Sequence, residues 1–151
     1  MKMISRLAMG AAFALGLASM GAQAIDGGAY QSSPNKSMMV TAANNWYTFD
    51  FPIRAGAIPV TNATVSIIYY DYALGQVDVG NRGTLVVQLC QGSTINCVDI
   101  SAAKSGTTTA FKGRSANTPF FLYYSVRSNK ATGSIFGSGT TQVTVNYDVP
   151  H

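Results

Sequence analysis

This 151-residue sequence predicts an all-β fold, an antiparallel β-sandwich of about seven strands with one hairpin disulfide. Three observations carry that expectation. β-Branched and aromatic residues recur in short runs that alternate with polar ones, the period of a half-buried strand. Gly, Pro, Asn and Ser separate the runs at the spacing of turns. Beyond residue 24, no window shows the helical period with capping residues at its ends.

The elements follow in chain order. Residues 1–24 have the three-part plan of a cleaved secretory signal: a start carrying Lys2 and Arg6, an apolar core from Leu7 to Leu17, and the small-x-small site Ala22-Gln23-Ala24. The core is too short to cross a bilayer, which takes ~20 apolar residues, so the chain is not expected to span a membrane. Cleavage leaves 127 residues beginning at Ile25, with eight Lys and Arg against six aspartates. Residues 25–45 are rich in Gly, Ser, Asn and Ala and predict a loosely ordered arm, with a short strand near 37–41. The β-sandwich domain then occupies 46–151.

Residues 46–51 place Tyr47, Phe49 and Phe51 on one face and leave Trp46 on the other, and Pro52 ends the run. Residues 63–72 put Val65, Ile67 and Tyr69 on one side, with Ile68, Tyr70 and Tyr72 on the other. Gly-rich 75–83 predicts a loop. Residues 84–90 and 97–101 predict a hairpin, with Leu85, Val87 and Leu89 sharing a face. A Thr-rich strand follows at 106–111. The most apolar run, 119–127, sets Phe120, Leu122, Tyr124 and Val126 against Phe121 and Tyr123. After a Gly/Ser loop over 128–139, residues 140–149 turn Val143, Val145, Tyr147 and Val149 inward and polar residues outward.

Cys90 and Cys97 enclose six residues. In an exported chain the pair predicts a structural disulfide. A metal site needs further ligands, and the sole histidine is the terminal His151. A redox motif places two residues between its thiols, not six. The chain-entropy account gives about 2.5 kcal/mol for so short a loop.

Composition narrows the function. There is no Glu, the six Asp are scattered, and a lone C-terminal His cannot readily serve a nucleophile. Catalytic and metal residues are therefore expected to be none, with no cofactor. A net charge of +2 on the cleaved chain, spread over loops and strands, does not predict a nucleic-acid partner. What remains is surface recognition. The Gly-rich loops 75–83 and 128–139 and the arm are the parts least needed by a core, with Arg82, Arg127 and Lys130 as candidate partner-binding anchors. Trp46 is the candidate for stacking on a sugar ring, should the chain instead be a secreted carbohydrate- or cell-wall-binding module. A pilus-like structural subunit is a third class.

One stretch is more specific. Leu89-Cys90, six residues, then Cys97-Val98-Asp99-Ile100 precede Ser105-Gly106-Thr107-Thr108 and Ala110-Phe111-x-Gly113, with Phe121 further on. Near the end comes Gln142-Val143-x-Val145-Asn146-Tyr147. In that order these residues resemble the FlhE family of flagellar proteins over roughly 85–147. The longer cysteine loop and the added Asp148-Val149-Pro150-His151 depart from the family pattern. The resemblance implies a periplasmic, non-enzymatic β-sandwich accessory to flagellar assembly. It further implies roles in swarming and in limiting proton leak, through chaperone- or plug-like contact with flagellar rod or export-apparatus proteins.

Overall fold

The clean alternation near the C-terminus forms the middle of a sheet, in the computed structural model, which describes residues 26–151. In chain order the strands are β1 (Asp26–Ser32), β2 (Met39–Val40), β3 (Tyr47–Phe51), β4 (Thr64–Asp71), β5 (Thr84–Gln91), β6 (Ser93–Asp99), β7 (Ser105–Thr108), β8 (Phe120–Arg127), β9 (Ile135–Phe136) and β10 (Gln142–Val149). They make two four-stranded antiparallel sheets, β1-β10-β4-β7 and β3-β8-β5-β6, and a short β2-β9 ribbon. The sandwich is as expected. Its described residues hold ten strands rather than about seven, because the arm and the second Gly/Ser loop also contribute. The expected signal and its cleavage point lie outside the described residues.

The core forms where the inner faces meet. Phe49 and Phe51 of β3, Leu85, Val87 and Leu89 of β5, and Phe120, Leu122, Tyr124 and Val126 of β8 all turn inward, as their alternation requires. Val143, Val145 and Tyr147 of β10 meet them, while Val149 is only partly buried. Burying such side chains is worth about 1.5–3 kcal/mol each. The core is the main source of stability.

Three expectations are corrected. First, the arm is not loosely ordered over its opening part. Residues 26–32 run the full length of β10, from Asp26 opposite Val149 to Ser32 opposite Val143. The weak strand propensity of Gly27-Gly28-Ala29 hid this. Gly27 is favoured there, because a Cβ on it would meet the Tyr147 backbone carbonyl at 2.6 Å. Second, a register shift between Asn146 and Tyr147 bulges β4 at Ser66. Val65 and Ile68 therefore both point inward, while Ile67 is half-buried and Tyr69 exposed.

Third, residues 75–83 are not a plain loop. They hold a helical turn, α1 (Gln76–Val79), followed by a 3-10 turn over Gly80–Arg82. Asp78 starts the helix by accepting the Gly75 N–H at 2.7 Å, and Val79 fills the core. The Gln76 side chain bonds the Gly80 and Gly83 carbonyls and accepts the Leu85 N–H, so the turn is stitched to β5. Among the described residues no helix is long and apolar enough to cross a membrane.

Candidate functional site

The end of the sandwich where β8 terminates gathers the residues singled out for recognition. Asn44 builds it. Its backbone adopts φ 63°, a left-handed conformation that Asn tolerates better than most residues. From there its N–H donates to Val126 O at 2.8 Å, its Nδ2 donates to Ser128 O at 2.7 Å, and its Oδ1 accepts the Ser128 N–H. These bonds hold residues 41–44 against 128–133, with a cleft of about 630 Å³ between them.

Two tyrosines support one wall. The Tyr47 hydroxyl accepts the Thr41 and Ala42 N–H groups, and hydrogen bonding, above all with the Thr41 hydroxyl, draws its pKa down. Tyr124 bonds both backbone groups of Met39, and burial pushes its pKa up. The opposite wall is held by Arg82. Its Nη2 donates to Asp78 O at 2.6 Å and its Nε to Val79 O at 3.2 Å, while Nη1 reaches the Thr132 and Ser134 carbonyls at 3.5 Å. Arg82 is thus half-buried and committed to four carbonyls. It positions the loop and does not project as a docking cation.

Arg127 and Lys130 stand at the same end, both exposed. Lys130 lines the cleft. Arg127 lies 5.1 Å from the centroid of Trp46, whose ring stacks on Tyr123 at 4.4 Å and 14°. Tyr123 and Arg127 flank Ser125 along the outer side of β8, so Trp46 sits between them above a fully buried Ser125. The indole already stacks on Tyr123 and has Arg127 beside it, which weighs against a stacking platform for sugar. The structure therefore brings Arg82, Arg127, Lys130 and Trp46 together, with only Lys130 and Arg127 available as cations.

At the other end of β8 lies a second cleft that no sequence pattern predicts, about 590 Å³, floored by Phe121 and walled by Pro52, Pro119 and the turn Gly92–Thr94. Asp50 is its one ionisable lining residue. The Cys90–Cys97 disulfide closes the hairpin that carries this turn, with Cys90 directly opposite both Cys97 and Phe121. Among the described residues no three His, Cys, Asp or Glu side chains are grouped as metal ligands.

Comparisons with known proteins agree with this architecture. The family model described as flagellar protein FlhE matches residues 51–148. A solved structure titled "Crystal Structure of FLHE" superposes with a TM-score of 0.61 at 24% identity, covering 80% of this chain and 96% of that one. At that identity the likeness speaks to the fold. A search of curated proteins by sequence finds no match.

Proposed function

The chain belongs to the FlhE family of flagellar proteins, and on that premise we propose that it is a non-enzymatic accessory of the flagellum acting in the periplasm. The observation that carries this reading is the family match, which spans most of both sheets. The finer proposal is that the protein binds rod or export-apparatus components in a chaperone- or plug-like way, limiting proton leak and supporting swarming. The cleft between 41–44 and 128–133 is the proposed contact, with Lys130 lining it, Arg127 exposed beside Trp46 at the same end, and Arg82 as the group that holds its wall. Loops held by a rigid sandwich suit recognition, since the scaffold bears the folding energy and the loops present side chains.

The test is a deletion strain complemented with the wild-type chain or with Arg127→Ala/Lys130→Ala. The deletion is expected to impair swarming and raise sensitivity to external acid, and the double variant to restore neither while accumulating normally. Normal motility in the deletion strain removes the flagellar reading. Mass spectrometry of the periplasmic fraction tests location: the mature chain is expected to begin at Ile25, and a pool starting at Met1 contradicts export.

A further inference from the structure

The second cleft joins three features that the family reading leaves unused. Its floor and walls are apolar, with Phe121, Pro52 and Pro119 as the accessible side chains. Its rim carries a single exposed carboxylate, Asp50, which sits opposite Phe121 across the β3-β8 pair. Among the described residues Asp50 has no ion-pair partner; the one bridge there joins Asp26 to His151. A carboxylate beside an apolar hollow of this size is complementary to a cation borne next to an apolar group.

The far wall is built deliberately. The β5-β6 register shifts between Cys90 and Gln91, which bends the hairpin tip out of the sheet plane. Gly92 turns at φ 71° and donates its N–H to Pro119 O at 3.1 Å, fixing the tip beside the cleft. Buried Gln91 donates from Nε2 to Ser115 O at 2.8 Å and Thr118 O at 3.3 Å, tying the same tip to the loop before β8. The disulfide cross-links the two strands behind it. The wall is thus held from both sides.

We propose that this cleft binds an extended peptide segment carrying an aromatic or large aliphatic side chain next to a Lys or Arg, with the apolar group on Phe121 and the cation at Asp50. The disulfide keeps the Gly92–Thr94 wall in place for this binding. The inference stands apart from the flagellar reading, which concerns the other end of β8.

The test is titration of the disulfide-bonded chain, followed by NMR, with two capped synthetic hexapeptides that differ only in Phe-Arg or Phe-Glu at the centre. The Phe-Arg peptide is expected to shift the resonances of Phe121, Asp50 and Thr94, with affinity falling as salt rises. The Phe-Glu peptide is expected to bind at least ten-fold more weakly. Asp50→Asn, an exposed and nearly isosteric change, is expected to remove most of that preference, and Asp50→Glu to keep it. Reduction of the disulfide is expected to weaken binding several-fold while Asp50→Asn leaves the thermal midpoint unchanged. No binding of the Phe-Arg peptide at millimolar concentration overturns the proposal, as does equal binding of both peptides. Shifts confined to residues 41–44 and 128–133 place the site elsewhere and also overturn it, as does concentration-dependent self-association through the cleft that excludes peptide.

Discussion

Replacing Arg82 by Ala distinguishes a loop clamp from a docking residue. Two of its bonds come from a charged donor within ordinary hydrogen-bond range, at 2.6 Å to Asp78 O and 3.2 Å to Val79 O. Hydrogen bonds to charged groups are worth about 1.5–3 kcal/mol when buried, and half-exposure reduces that to about 1 kcal/mol each. The two bonds at 3.5 Å lie at the limit of useful geometry and add little stability, but they tie the 3-10 turn to Thr132 and Ser134. Arg82→Ala is therefore expected to cost about 2 kcal/mol, which lowers the thermal midpoint of a domain this size by about 8 °C. Arg82→Lys keeps the charge but lacks the fork, so it is expected to recover less than half of the loss. Circular dichroism melts give the stability, and limited proteolysis gives the state of residues 128–139, which are expected to be cut faster in the variant. An unchanged melt and digestion pattern refutes the clamp. Loss of flagellar function at full stability returns Arg82 to the partner-binding surface.

Further outcomes rest on separate contacts. Changing both Cys90 and Cys97 to Ala is expected to cost about 2.5 kcal/mol by differential scanning calorimetry, and thiol labelling of the unreduced wild type is expected to find no free cysteine. Gly137→Ala is expected to cost about 2–3 kcal/mol by urea unfolding, because its Cβ meets the Leu74 backbone N at 2.7 Å and Cα at 2.9 Å, and backbone cannot yield cheaply. Tyr72→Phe is expected to cost about 1 kcal/mol, leaving the buried Ile100 carbonyl without the hydroxyl that donates to it at 2.9 Å. Burial also pushes the Tyr72 pKa up to about 12 and raises that of Tyr124. The folded state thus favours the protonated phenol, so this stability is complete below the ordinary value of 10.0 and is lost as pH rises from there through about 12. A spectroscopic titration in which every tyrosine ionises at its ordinary value while the chain stays folded contradicts this.

Local pattern determined most of the sandwich. Inward faces on β3, β5, β8 and β10 are legible because a strand's side chains alternate whatever its neighbours are, and burial rewards that period directly. The disulfide was legible too, since two cysteines seven positions apart in a strand-rich segment have few alternatives. The family resemblance reached from the residues to the flagellum, and the match over 51–148 agrees with it. What only the tertiary structure decided lies in contacts between distant residues. Asp26–Ser32 becomes a strand because β10 offers it a partner, although its glycines argue locally against one. The face assignment of β4 turns on a bulge set by pairing with β10. Arg82 reads as a free loop cation until carbonyls 50 and 52 positions away come within its reach. Asp50 and Phe121 share a cleft only because β3 lies against β8. Propensity and alternation act over a few neighbours, whereas pairing, bulges and clefts are fixed by the packing of segments far apart in the chain.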